Sequence, residues 1–64
     1  MTVLDNLKAA MYAEKQMASQ YAKYAIDCQD PQVKALFQQM SSSAKRNAQQ
    51  LQNRINQIAD NYEQ

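Results

Sequence analysis

Glu14 stands in the middle of an otherwise apolar helical seam, and the positions expected to face it across a hairpin hold Ala44 and Asn47. A carboxylate on one helix facing a Glu-x-x-His pair on the next is how carboxylate-bridged metal bundles assemble their ligands. Here the place of that pair reads Ala44-Lys45-Arg46-Asn47. Alanine has no donor atom, and a neutral amide is a poor ligand for iron or manganese. Two Glu14 carboxylates, one from each of two chains, would hold such ions weakly at best. The expectation is an architecture kept and a metal chemistry lost. Glu14 is then a vestigial ligand, Ala44 and Asn47 replace the others, and neither metal nor cofactor is called for. Three readings of Glu14 stay open: a remnant bonded to Asn47 or Ser43, a weak metal ligand, or a carboxylate reaching water from the edge of the seam. Under the first, a polar group in an apolar seam also fixes register and partner choice.

The remaining reactive side chains offer little catalysis. Cys28 is the only cysteine, and there is no histidine to activate it, which argues against a nucleophilic enzyme. It reads as a small packing residue near the hairpin tip, ahead of an intermolecular disulfide or reactive thiol. No catalytic residue is named, and the chain is expected not to be an enzyme. Tyr21 and Tyr24 fall on the seam and read as core packing with hydroxyls at the rim. Tyr12, off the seam, is the better candidate for oxidative cross-linking. Lys8, Lys15 and Lys34 among many glutamines would suit enzymatic cross-linking, but these are also ordinary surface helix formers. Ser41-Ser42-Ser43 reads as close helix packing, with hydroxyls returning to the preceding turn. Met11, Met17 and Met40 could adapt to an apolar ligand or a partner helix, although core filling is the plainer account.

These residues must be held by helices. The chain has no glycine, one proline, and abundant Ala, Gln, Met, Leu and Lys, all of which favour helix. Thr2 is the expected N-cap of the first helix, with Asp5 in its first turn. Leu4, Leu7, Met11, Glu14, Ala18, Tyr21, Ala25 and Cys28 then recur at alternating steps of three and four, the spacing of a bundle seam. Val3, Ala10, Met17 and Tyr24 widen it. Asp30-Pro31 marks a restart, because Asp caps helices, Pro suits their first position, and Pro pushes its predecessor out of helical geometry. On the second helix Phe37, Ala44, Leu51 and Ile58 stand seven apart, flanked by Leu36 and Met40 on one side and Ala48, Ile55 and Tyr62 on the other. The expected bounds are about 3–28 and 31–60, with a turn at 29–30.

Two long helices on a short connection lie antiparallel, so residue n faces roughly residue 60 − n. A single interface leaves much of each stripe exposed, and 64 residues cannot bury a large core alone. One cysteine and no histidine leave association as the remaining support. The expected fold is all-α: an antiparallel two-helix hairpin that pairs as a two-fold homodimer into a four-helix bundle. Its expected core is Leu7, Met11, Tyr21, Phe37, Met40, Leu51, Ile55 and Ile58.

The formal net charge is +1 and the basic residues are scattered, so a nucleic-acid surface is not expected and Lys45 and Arg46 read as a solvated face. No stretch is apolar and long enough to span a membrane, and no signal-peptide pattern precedes the first helix. The expectation is a protein made and kept in a reducing, cytoplasmic compartment.

A family resemblance sits on the same residues. Leu4-Asp5-Asn6-Leu7, Ala13-Glu14-Lys15-Gln16-Met17-Ala18, Tyr21 and Asp30-Pro31-Gln32-Val33-Lys34-Ala35-Leu36-Phe37 resemble the spore coat F-like branch of the ferritin-like families, over about residues 4–58. Met1-Thr2-Val3, Leu7-Lys8 and Arg54-Ile55 also resemble short sporulation-associated proteins. Both resemblances imply a helical hairpin from a spore-forming bacterium. Neither implies a known enzymatic reaction. Seam, size and resemblance together lead to the expectation of a non-catalytic structural or interaction protein in the spore coat or forespore, with other coat or sporulation proteins as partners. A ferritin-like protein with a degenerate carboxylate site, and a binding module for an apolar ligand or helix, are the alternatives.

Overall fold

Thr2 opens the first helix through a reciprocal cap. Its hydroxyl accepts from the Asp5 N–H at 3.1 Å, and its own N–H donates to the Asp5 carboxylate at 3.3 Å. Two of the four orphan donors at a helix start are thereby satisfied. The helix, α1, runs Val3–Asp27. Cys28 leaves it in extended geometry, φ −83° and ψ 128°, one residue earlier than the expected end. Its N–H still bonds the Ala25 carbonyl at 3.3 Å, while its thiol lies 3.5 Å from the Asp30 carbonyl. Asp30 then caps the second helix: Oδ1 accepts from the N–H groups of Gln32 at 2.9 Å and Val33 at 3.2 Å.

The second helix, α2, spans Pro31–Glu63, past the stop expected near Asp60. Asp and Asn cost only tenths of a kcal/mol each in a helix, roughly, and no Gly or Pro follows them. The exposed face of its later half carries side-chain pairs one turn apart. Gln49 donates to Asn53 at 2.9 Å, Gln52 to Asn56 at 2.8 Å, and Arg54 to Gln57 at 3.0 Å, each adding roughly 0.2–0.5 kcal/mol of local helix support. The computed structural model describes residues 2–63: the Thr2 cap, two antiparallel helices and their short connection. The hairpin measures 52 × 18 × 11 Å.

Within one hairpin the buried contact is made mostly of small residues, and it is a different layer from the core expected of the paired bundle. The buried residues are Ala18 and Ala25 of α1 with Ser41, Ala44, Ala48 and Ile55 of α2. Leu7, Met11, Tyr21, Phe37, Met40, Leu51 and Ile58 are only half-covered within the hairpin. Among the described residues no large side chain is wholly buried. Small residues permit close approach of the two backbones, so α2 turns its alanine side inward and leaves its bulkier side at the rim. Ile55, named for the core of the paired bundle, is already only 7% exposed in the lone hairpin because it lies on that inward side. The Tyr62 side chain, an expected member of the stripe, lies outside the described set.

Candidate functional site

The level of Glu14 is fixed by a neighbouring contact. Ser41 Oγ donates to the Ala18 carbonyl at 2.7 Å in the buried interface, which sets the register within a residue of the 60 − n relation expected from the roughly central turn. This also corrects the reading of Ser41, whose hydroxyl crosses to the other helix and does not return to its own preceding turn. Glu14 therefore stands level with the Ala44–Ala48 turn. Ala44 faces inward there, 4% exposed. Asn47 does not bracket it from within: it is exposed. A helix turns about 100° per residue, so three residues carry Asn47 about 60° round from Ala44, toward the rim. Glu14 itself is half-buried, and the hydrogen bond to Asn47 or Ser43 that one of its three readings required does not form among the described residues. The same residues contain no group of three or more His, Cys, Asp or Glu placed to hold a metal ion.

The two flanks of the hairpin are more distinctive than the Glu14 level. One flank is aromatic. Tyr21 stacks with Phe37 across the interface at 6.3 Å between ring centroids, and Tyr24 meets the same ring tilted, at 5.4 Å. Such pairs contribute about 0.5–1.5 kcal/mol beyond their area. Helical geometry puts Glu14, Met17, Met40 and Asn47 on this flank too. Tyr24 at 44% and Met17 at 41% remain substantially exposed. Val3 and Ala10, expected to widen the seam, are exposed there as well. Tyr12, singled out earlier as lying off the seam, is 65% exposed.

The opposite flank is a trough. One groove of about 520 Å³ is bordered by Lys15 and Lys45, and a second of about 330 Å³ continues it toward Lys34. Nothing in the linear order of the sequence marks this flank, because its lysines come from both helices. The one signal was arithmetic: 15 and 45 are level in a hairpin centred near Asp30. At the helix start, Asp5 is held below its ordinary carboxylate value, by hydrogen bonding to the Thr2 side chain first and the Thr2 main chain second.

These features define an all-α hairpin module with two unlike faces and a thin, alanine-rich contact between its helices. Residues 5–59 match the Coat F domain, and the chain belongs to that family. Membership points to a structural protein of the spore coat. No curated protein and no solved structure matches the chain. Among the described residues no helix is long and apolar enough to cross a membrane.

Proposed function

We propose that the chain is a structural element of a spore-coat or sporulation-related assembly, working as a homodimer in which two hairpins form a ferritin-like four-helix bundle. The observation that carries this is the aromatic flank. Tyr24, Met17 and Leu36 are 44%, 41% and 52% exposed beside half-covered Tyr21, Phe37 and Met40. A chain of this length with no wholly buried large side chain among its described residues has a small core for independent stability. Pairing two such flanks about a two-fold axis would cover both, with Leu7, Met11, Tyr21, Phe37, Met40, Leu51 and Ile58 as the shared core and Ile55 already inside each hairpin. The location that goes with this reading is the spore coat or the forespore, and other coat proteins are the further partners.

Stability that depends on association depends on protomer concentration. Sedimentation equilibrium should give twice the chain mass, and the thermal midpoint should rise with concentration. A folded monomer whose melting ignores concentration would overturn the proposal.

A further inference from the structure

The two grooves opposite the aromatic flank share Ala22 and Lys45 and so make one continuous trough. Its floor is made of small residues packed in the helix contact, Ala18, Ala25, Ser41 and Ala48, each 5% exposed or less; half-buried Ala22 and exposed Ile26 supply its accessible apolar surface. Where bulky side chains would fill the space between two helices, methyl groups leave it open. The walls carry Lys15, Lys45 and Lys34, and among the described residues no carboxylate lines either groove. The whole chain has seven basic and six acidic residues. The positive field here therefore comes from sorting of charge between faces, with almost no help from net charge.

The lysines are also arranged. Lys15 and Lys45 border the same groove from opposite helices. Lys34 precedes Lys45 by 11 residues, three helical turns, which keeps it on the same side about 16 Å further along the trough. An occupant must therefore satisfy three conditions at once. It must be elongated, it must bring apolar groups to an alanine floor, and it must carry negative charge at its edges about three turns apart.

We propose that this trough docks an acidic amphipathic helix of another protein, its apolar side chains on the alanine floor and its carboxylates against Lys15, Lys45 and Lys34. A helix laid in a groove between two others is a recurrent recognition mode. Complementary charge at its edges sets orientation and encounter rate. A second copy of this chain fits poorly, since its matching flank would set lysine against lysine. A nucleic acid would use the lysines but leave the alanine floor without a partner, and the trough has no aromatic platform for stacking bases.

The test uses the full chain and a fluorescein-labelled helical peptide of about 20 residues, with leucines on one stripe and glutamates eleven positions apart at its edge. Binding is read by anisotropy. The expected result is saturable binding that weakens as salt rises and falls by about ten-fold or more in Lys15→Glu/Lys45→Glu. A peptide with lysines in place of the glutamates should bind the double variant and not the wild type. Both lysines are exposed, and circular dichroism checks that the variant stays helical. If it does not, Lys15→Gln/Lys45→Gln takes its place, with the same loss expected. The proposal is overturned if the wild type does not bind the acidic peptide, binds both peptides equally, or keeps its affinity when the lysines are removed. Tighter binding of a random-sequence DNA duplex, with the same lysine dependence, would overturn it in favour of a nucleic-acid surface.

Discussion

Ser41 Oγ donates a 2.7 Å hydrogen bond to the main-chain carbonyl of Ala18, across the buried contact between the helices. A serine hydroxyl lies one atom past Cβ, so reaching the opposite main chain requires the two backbones to be close at this level. Ala18, Ala44 and Ala48, each 5% exposed or less, permit that closeness. The Ala18 carbonyl lies inside α1 and already accepts a helical bond, so Ser41 uses its second lone pair. The contact fixes how far along each other the helices sit, and with that the level of every other residue on the interface.

Removing the hydroxyl and adding bulk at this position should have different costs. Ser41→Ala loses one buried hydrogen bond without orphaning its acceptor, so about 1 kcal/mol is expected. Ser41→Leu must push the backbones apart, and overpacking of that kind adds about 1–3 kcal/mol. Urea unfolding measures both. A Leu variant as mild as the Ala variant would contradict the close approach.

Ala44 and Asn47 invite a joint substitution to restore a Glu-x-x-His pair, but Ala44 is packed in the contact between the helices, 4% exposed. Ala44→Glu buries a carboxylate in the alanine contact and should cost about 3 kcal/mol or more. Asn47→His changes a residue exposed in the lone hairpin and should cost less than Ala44→Glu, even with the aromatic flank covered by a second copy. Neither the wild type nor the pair of substitutions should take up stoichiometric iron, because residue 44 has no room for a carboxylate aimed at Glu14. Thermal melts and metal analysis decide it. Stoichiometric iron in a stable double variant would show that the helices can repack to form the site.

The sequence carried the elements and their register because those depend on local signals. Thr2 with Asp5, Asp30 with Pro31, and the absence of glycine say where helices begin and stop, and the short turn then sets which residues are level. It did not carry the rotation of α2. The apolar stripe is wider than one partner can cover, so Met40, Leu51 and Ile58 toward one edge compete with Ser41 and Ala48 toward the other for the inward side. Close approach decides in favour of the small residues, and that is a property of two helices together. The same rotation moved Asn47 off the inward face, onto the flank that Glu14 shares, and opened the lysine trough, whose members are unremarkable when read singly.

Acid should weaken the start of α1. Asp5 is held below its ordinary value by its hydrogen bonds with Thr2, so its folded-state value lies under its unfolded one. Such a group contributes stability that is present above the unfolded value and is lost as pH falls through the folded value. Asp5→Asn should therefore melt below wild type at neutral pH, and the two should converge in strong acid. Thr2→Ala loses the hydroxyl acceptor as well and should remain less stable in acid. A constant gap between Asp5→Asn and wild type at every pH would refute the reciprocal cap as the cause.

Tyr24 and Ile26 are two residues apart on α1 and lie on opposite flanks, which makes them a paired test of the surface used for self-association. In the hairpin Tyr24 is 44% exposed and Ile26 is 75% exposed. Judged on the hairpin alone, Ile26→Lys and Tyr24→Lys should differ only by the loss of the Tyr24 contact with the Phe37 ring, about 0.5–1.5 kcal/mol. If the aromatic flank pairs with a second copy, Tyr24→Lys also sets two cations into a desolvated interface, which is far more costly. Its thermal midpoint should fall well below that of Ile26→Lys, and sedimentation should show dissociated chains. Ile26→Lys should keep the wild-type mass and its concentration-dependent melting, since the added charge sits on the lysine flank in water. Dissociation by Ile26→Lys with Tyr24→Lys still associated would move the self-association surface to the trough side and remove the aromatic flank from that role.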